Sequence, residues 1–145
     1  MCIDPRIGSN YMQPGPGFGG PCLEKDLMAL VELGNFYDLE STFMKAILKR
    51  NERQVELILD KITSEIKQAG YLITILGLSF KANTDDVRNS ASVKLIKLLL
   101  KKGYKVNSYD PKAKYSLKNE NYLQFDDLYS SLNKSNCAVI MTEWD

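Results

Sequence analysis

The chain has 145 residues, of which 44% are hydrophobic and 26% are charged, and its formal net charge is +1. This near-neutral balance gives no support for non-specific binding to nucleic acid, which needs a surplus of basic residues on one face. The absence of histidine and the three widely spaced cysteines argue against a metal site or a disulfide framework. No apolar run approaches the length of a membrane span, so the sequence predicts a cytoplasmic protein with reduced thiols and no membrane contact.

The first 21 residues form a segment rich in glycine and proline, which favours neither a helix nor an ordinary strand. Apolar and aromatic residues are interspersed through it, so we predict an ordered loop rather than a flexible linker. The pattern becomes helical from Cys22 to about Tyr37, because apolar side chains recur on one face at Leu23, Leu27, Leu30 and Val31.

A second helix is predicted from near Asp38 or Ser41 to about Gln68, with apolar residues at a period near 3.6. At about 28 residues it is expected to be roughly 40 Å long. A long helix with an apolar stripe often packs against another chain. We therefore predict a homodimer formed through this central helix, with a helix that lies across its own domain as the alternative.

After Gly70 the pattern changes to alternating strands and helices. Strands are predicted at 71–78, 105–111 and 137–142. Helices are predicted at 90–103, with Ser90 or Ser92 near its N-cap and Gly103 at its end, and at about 126–133. This order implies a parallel sheet flanked by helices, and the right-handed crossover rule makes it Rossmann-like.

The predicted fold class is therefore α/β, with a long central helix region followed by a partial Rossmann-like sheet. We expect two parts, residues 1–69 with the glycine-rich loop and the central helices, and residues 70–145 with the sheet. Three strands make a thin sheet, so the second part is expected to be a truncated domain.

The glycine-rich loop delivers Cys22 to the start of the first helix. Glycines let a ligand approach the main chain closely, and the positive end of a helix dipole favours the thiolate form of a cysteine. Lys25 and Asp26 follow within one helical turn, where they can stabilise an anion or orient a water. The residues alone leave two interpretations open, an activated nucleophile or a buried cysteine beside a solvated Lys–Asp pair.

Two segments of the chain resemble the UDP-glucose/GDP-mannose dehydrogenase family. The first is DPRIGSNYMQPGPGFGGPCLEKDLMAL at 4–30, and the second is ILGLSFKANTDDVRNSAS at 75–92. The strand KVNSYDP and the ending AVIMTEWD then follow in the family's order. The resemblance covers essentially the whole chain, and it identifies the second part with the family's sugar-nucleotide-binding domain.

In that family the C6 alcohol of a nucleotide sugar is oxidised to a carboxylate with two equivalents of NAD. The resemblance implies that Cys22 attacks the aldehyde stage to give a thiohemiacetal, which becomes a thioester and is then hydrolysed. Asp26 corresponds to an aspartate that helps to position the water, and Cys22 and Lys25 lie on the cofactor side. NAD is the expected cofactor and UDP-glucose the expected substrate, with an N-acetylated UDP-hexosamine or GDP-mannose as alternatives.

Further positions acquire roles from the same resemblance. Arg6 resembles an arginine that meets the substrate in the neighbouring subunit, although an arginine that only orders its own loop is the alternative. Phe80 and Lys81 resemble a pair that contacts the sugar nucleotide, and Arg88 an arginine that contacts NAD. Residues 84–86 are expected only to shape a turn. The loop along the bound sugar nucleotide corresponds to Gln13, Pro14, Gly15, Pro16, Gly17, Phe18 and Gly19.

The sequence also departs from the family. It contains no Gly-x-Gly-x-x-Gly after a strand, so we expect that the NAD-binding domain is absent and that this polypeptide alone does not turn over. Pro21 and the pair Leu23–Glu24 differ from the residues usual beside the family's cysteine, which bears on the choice of sugar. The alternative function is a non-catalytic module that binds a sugar nucleotide or mediates dimerisation.

Overall fold

The computed structural model describes residues 4–6, 8 and 14–144. Two helices, α1 (Leu23–Phe36) and α2 (Thr42–Glu65), precede the sheet. The remaining elements are β1 (Leu72–Leu76), α3 (Ala91–Lys101), β2 (Lys105–Tyr109), β3 (Tyr122–Phe125), α4 (Leu128–Leu132) and β4 (Cys137–Ile140). The predicted class is confirmed: the fold is α/β, with a long central helix and a Rossmann-like parallel sheet flanked by helices.

The sheet of the described residues has four parallel strands in the order β3-β2-β1-β4. The prediction of three strands was wrong because it omitted β3. This strand has only four residues and lies at the edge of the sheet, where Leu123 points into solvent. Its apolar pattern is therefore too short to stand out, and its pairing with β2 creates the strand.

The two strands that lie beside β1 both follow it in the chain, but they lie on opposite sides of it. β2 pairs with one side of β1, and β4 pairs with the other, with Ile73 opposite both Val106 and Cys137. The chain thus places β2 and β3 in succession on one side of β1 and then returns to place β4 on the other side. In open α/β sheets, a crevice for ligands forms at this point, outside the carboxyl ends of the strands.

The core lies between the sheet and helices α2 and α3. Ile73 and Ile75 of β1 and Leu95 of α3 are fully buried, and α2 contributes one stripe from its C-terminal half. That stripe consists of Val55, Leu59 and Ile62. Part of the apolar face of α2 therefore packs within its own chain, and the homodimer stays a prediction.

Helix α1 contrasts with α2 because none of its residues is buried. The helix predicted from Cys22 to about Tyr37 is present, but its apolar side chains Leu30, Leu33 and Phe36 remain at least half exposed. Apolar side chains left together on a surface typically mark a contact with another protein segment. Among the described residues, no helix is long and apolar enough to cross a membrane.

The start of α3 matches the sequence prediction. Ser90 is the N-cap, and its hydroxyl oxygen accepts a hydrogen bond from the Ser92 N–H at 3.1 Å. The same hydroxyl donates to the Leu78 carbonyl at 2.6 Å, so the cap also ties α3 to the end of β1. The segment that joins β1 to α3 is held at both of its ends as a result.

Candidate functional site

The glycine-rich loop packs directly against the segment that joins β1 to α3. The Gly20 N–H donates to the Arg88 carbonyl at 2.9 Å, and the Asn89 side chain donates to the Gly20 carbonyl at 3.3 Å. Gly20 has φ +82°, and a Cβ there would lie 2.8 Å from the Phe80 ring. A Cβ on Gly19 would lie 2.7 Å from the Asn89 carbonyl oxygen. Side chains are excluded at both positions, so these glycines permit the contact.

A residue of α2 holds the loop from the other side. The Phe18 N–H donates to Asn51 Oδ1 at 2.8 Å, and Asn51 Nδ2 donates to the Phe18 carbonyl at 2.9 Å. The sequence analysis missed Asn51. A signal was present, because Asn51 lies one turn after Ile47 and one turn before Val55, where an amide interrupts an apolar stripe.

Cys22 lies at the N-terminal end of α1, immediately before the first helical residue. Its carbonyl accepts the Asp26 N–H at 2.9 Å, and its thiol is exposed. The thiol borders a cleft of about 540 Å³, which we call the cysteine cleft. This cleft is lined by Phe18, Gly19, Pro21, Cys22, Leu23, Phe80, Lys81, Thr84 and Asp86.

A second cleft of about 480 Å³, the strand-edge cleft, opens at the carboxyl ends of β1 and β4. One wall of this cleft is residues 14–17 of the glycine-rich loop. The other wall is residues 140–143, which comprise the last residue of β4 and the three residues that follow it. Phe80 and Lys81 border both clefts. The structure therefore brings most of the expected substrate-binding residues along one path that leads from the sheet edge to Cys22.

Not all of the expected site residues lie on this path. Lys25 and Asp26 pair with each other, with 3.2 Å between Nζ and Oδ1, and both side chains are largely exposed. Arg6 pairs with Asp4 through Nε and Nη2 at 3.0 and 2.7 Å, and 87% of its side chain is exposed. Neither Lys25, Asp26 nor Arg6 lines either cleft. Gln13 lies outside the described residues.

Arg88 lines neither cleft, but it is held by an acid, Asp86, that lines the cysteine cleft. Its Nε and Nη2 donate to the Asp86 carboxylate at distances from 2.7 to 3.0 Å. Hydrogen bonds from Arg88 lower the pKa of Asp86, and this carboxylate in turn raises the pKa of Arg88. Asp86, which was expected only to shape a turn, thus also lines the cysteine cleft and orients the Arg88 side chain.

Asp110, at the end of β2, fixes the backbone that leads into Phe80. Its Oδ2 accepts the N–H groups of Leu78 and Ser79 at 2.7 and 3.0 Å, and its Oδ1 accepts those of Lys112 and Ala113 at 2.9 and 2.7 Å. Burial by itself raises the pKa of this carboxyl, but the donated backbone N–H groups outweigh burial and lower the pKa. The sequence analysis identified only the strand and its Asp-Pro ending.

The residues after β4 complete the sheet edge. The Thr142 hydroxyl donates to the Ser79 carbonyl at 2.8 Å, and Trp144 Nε1 donates to Asp110 Oδ2 at 3.3 Å. Gly77 has φ +90°, and a Cβ there would lie 2.4 Å from Thr142 Cβ. The ends of β1, β2 and β4 are therefore linked by side-chain hydrogen bonds directly beneath the strand-edge cleft.

Comparisons with known proteins found similar sequences that cover 98% of the chain. The chain matches the central domain of the UDP-glucose/GDP-mannose dehydrogenase family over residues 1–53 and the UDP binding domain of that family over residues 74–145. A UDP-glucose 6-dehydrogenase from Rickettsia felis is 37% identical over 148 residues, which cover 98% of this chain and 33% of that protein.

Two solved structures have the same fold over this region. A UDP-glucose dehydrogenase from Pyrobaculum islandicum superimposes with a TM-score of 0.91 at 33% identity, covering 99% of this chain and 34% of that one. A GDP-mannose dehydrogenase from Pseudomonas aeruginosa gives a TM-score of 0.81 at 32% identity, covering 97% and 34%. The chain therefore spans about a third of the length of the relatives it matches.

Proposed function

The chain belongs to the UDP-glucose/GDP-mannose dehydrogenase family, and on that premise we propose that it supplies the cysteine and the sugar-nucleotide site of an NAD-dependent dehydrogenase. The proposed reaction oxidises the C6 alcohol of a UDP-sugar to a carboxylate. UDP-glucose is the proposed sugar, since the UDP binding domain and relatives that carry the name UDP-glucose 6-dehydrogenase both match.

One observation carries the proposal: Phe80 and Lys81 border both the cysteine cleft and the strand-edge cleft. A nucleotide sugar is an extended ligand with a diphosphate in its middle. With the nucleoside in the strand-edge cleft, the sugar is directed towards Cys22. The diphosphate then passes Lys81, whose ammonium group lies 5.5 Å from the centre of the Phe80 ring and attracts phosphate oxygens.

In the proposed chemistry, the Cys22 sulfur forms a bond to the aldehyde carbon derived from C6, and the carbonyl oxygen takes up a proton. When bound, NAD would supply the hydride acceptor twice, once as the alcohol becomes the aldehyde and once as the thiohemiacetal becomes the thioester, and each oxidation also releases a hydroxyl proton to solvent. The sulfur then holds the carbon as a thioester, and water cleaves the C–S bond to release the carboxylate and the thiolate. We propose that Asp26 positions this water, for which its carboxylate must leave its contact with Lys25.

Two described residues fit a role beside NAD. Arg88 keeps 68% of its side chain exposed, and its bonds to Asp86 use Nε and Nη2, which leaves Nη1 free to donate to a phosphate or carbonyl oxygen. Lys25 offers an exposed ammonium group three residues after Cys22. The glycine motif that receives a dinucleotide pyrophosphate does not occur in this chain, so these residues would hold only the edge of the cofactor.

The alternative proposal is a module that binds a sugar nucleotide or forms a homodimer without chemistry of its own. The exposed apolar side chains of α1 favour the dimer, because Leu30, Leu33 and Phe36 have no cover among the described residues. Arg6 is then proposed to reach the partner's site from its exposed position. In either case we propose that residues 1–69 and 70–145 are the functional parts.

Protection of the Cys22 thiol against alkylation tests the proposal. In a chain with Cys2→Ser and Cys137→Ser, UDP and UDP-glucose are expected to slow the reaction of Cys22 with iodoacetamide. The C6 aldehyde of UDP-glucose is expected to protect at lower concentration than UDP-glucose, because it bonds reversibly to the sulfur. Equal protection by the aldehyde and the alcohol would support the binding module. No protection by any UDP compound would contradict the dehydrogenase and the sugar-nucleotide-binding module, and only the homodimer would remain.

A further inference from the structure

Asn51 satisfies both backbone polar groups of Phe18 with one side chain. Its Oδ1 accepts the Phe18 N–H at 2.8 Å, and its Nδ2 donates to the Phe18 carbonyl at 2.9 Å. An amide side chain offers an acceptor and a donor side by side in this way at any pH. The two partners are 33 residues apart in the sequence, so the contact joins separate parts of the fold.

Gly17 is matched to this contact. It has φ +107°, and a Cβ at this position would lie 2.5 Å from Asn51 Oδ1. Any side chain at residue 17 would therefore displace the amide, in addition to the strain of its backbone conformation. The loop and the helix are complementary at this point in both hydrogen bonding and shape.

The helix that carries Asn51 is a fixed support. One turn after Asn51, α2 enters the core through Val55, and Leu59 and Ile62 follow on the same face. A side chain attached to this part of α2 holds a constant position relative to the sheet. The hydrogen bonds to Phe18 are partly buried, so competition from water is limited.

The loop has a second anchor two residues later. The Gly20 N–H donates to the Arg88 carbonyl at 2.9 Å, on the segment that follows β1. Phe18 is thus held by α2 and Gly20 by the sheet unit, with only Gly19 between them. Cys22 follows two residues after the second anchor, so its position over the cysteine cleft depends on both.

We propose that Asn51 is a positioning residue for Cys22. By holding Phe18 against α2, it sets how the loop crosses the Phe80 ring and therefore where the thiol lies relative to Lys81. This inference rests on the proposed function only in treating Cys22 as the reacting group. Asn51 does not touch the thiol, and it acts through the backbone of the loop.

Amide hydrogen exchange of the whole chain tests this role directly. Asn51→Ala removes both hydrogen bonds and keeps a strong helix former in α2. We expect the Phe18 amide to exchange faster by about fivefold or more, the factor that one typical hydrogen bond represents. Because the anchors are coupled, the Gly20 amide is expected to exchange faster as well, and protection of Cys22 by UDP is expected to weaken.

Two further variants separate positioning from general stability. Val55→Ala lowers the stability of the same helix without touching the loop, so Phe18, Gly20 and core amides should change by the same factor. Gly17→Ala disturbs the contact from the loop side. Since Asn51→Ala removes the atom that the new Cβ would meet, the double variant should show less than the sum of the two single effects.

Faster exchange at Phe18 with unchanged exchange at Gly20 would overturn the proposal, because Asn51 would then make only a local contact. Equal behaviour of Asn51→Ala and Val55→Ala would overturn it as well. If UDP fails to protect Cys22 in the unchanged chain while the coupled exchange of Phe18 and Gly20 is observed, the positioning role holds and the proposed function fails. The two inferences are therefore judged by different measurements.

Discussion

The carboxylate of Asp110 accepts both the backbone N–H of Ser79, at 3.0 Å, and its hydroxyl, at 3.1 Å. Asp110, which follows β2, therefore fixes Ser79, which lies in the loop after the neighbouring strand β1 and immediately precedes Phe80. Because Asp110 is only 2% exposed, no water replaces these bonds when the carboxylate is altered. The shape of the sheet edge beside both clefts depends on this single buried charge.

Replacement of Asp110 by asparagine should destabilise the chain strongly. The amide group would turn an N–H donor towards backbone N–H donors that now bind a carboxylate. Loss of such charge-assisted bonds in a buried site is expected to cost about 2 kcal/mol or more. Urea denaturation measures the effect, with the exposed Asp60→Asn on α2 as the control. A change below about 0.5 kcal/mol, which is usual for surface positions, would refute the role of Asp110.

The same carboxylate should make stability depend on pH. The pKa of Asp110 is lowered in the fold from its ordinary value of 3.8. Its contribution is therefore fully present above the ordinary pKa and is lost as pH falls through the lowered pKa of the folded state. We expect the difference in unfolding free energy between the unchanged chain and Asp110→Asn to be constant near neutral pH and to shrink below 3.8.

Denaturation at a series of pH values measures this difference. Other carboxyl groups with lowered pKa values, such as those of Asp86 and Asp127, titrate in both chains, so their contributions cancel. A difference that does not vary between neutral and acidic pH would contradict the assignment of the acid-labile stability to Asp110.

Alanine at Gly20 should release the glycine-rich loop. The positive φ of Gly20 and the short distance from a Cβ to the Phe80 ring together are expected to cost more than about 1 kcal/mol. Gly70→Ala is the matched control, because Gly70 has a similar φ of +86° but no atom lies within 4 Å of a Cβ there. We expect the Gly20 variant alone to lose UDP protection of Cys22 in the alkylation assay. Equal protection in the two variants would show that close packing on Phe80 is not required.

Removal of the Lys81 charge should weaken UDP binding. A charge-assisted contact with the diphosphate is expected to contribute about 1.4 kcal/mol or more, which is tenfold in affinity. Isothermal titration calorimetry of Lys81→Ala with UDP measures the loss, and the exposed Lys97→Ala on α3 keeps the same net charge as a control. If both variants bind UDP equally, the diphosphate does not pass Lys81.

The start of α1 is also tied to α3 by charge. Lys94 Nζ lies 3.5 Å from Glu24 Oε2, and both side chains are partly exposed. We expect a coupling energy of about 0.5 kcal/mol in a double-mutant cycle of Glu24→Gln and Lys94→Met, since solvent screens such pairs. The coupling should decline as salt is added. A coupling that is unaffected by salt would indicate packing of the side chains rather than charge.

Local signals in the sequence were sufficient for most of the fold. The apolar run of β1 and the serine and glycine at the ends of α3 describe structure formed by neighbouring residues. β3 was missed because four residues at a sheet edge carry little pattern of their own. For α2, periodicity revealed an apolar face but not what covers it, and part of that face packs on the chain's own sheet.

Some residues of the candidate site could be identified from the sequence, and others could not. Cys22, Phe80, Lys81 and the glycine loop could be identified because they form contiguous motifs. Asn51 and Asp110 were missed, because the partner of Asn51 and two of the partners of Asp110, Leu78 and Ser79, lie more than thirty residues away along the chain. A residue that acts by holding a distant backbone carries no local signature apart from being polar in an apolar setting.

The parallel sheet has a consequence for how the chain folds. Among the strands that the structure describes, no pair is closed by a tight turn, and the second neighbour of β1 begins only at residue 137. Pairing across such a long span is entropically costly and slow, so β4 is expected to join last. The strand-edge cleft does not exist until that moment. A nucleotide therefore cannot template early folding steps, and it stabilises only the finished sheet, by mass action on the native state.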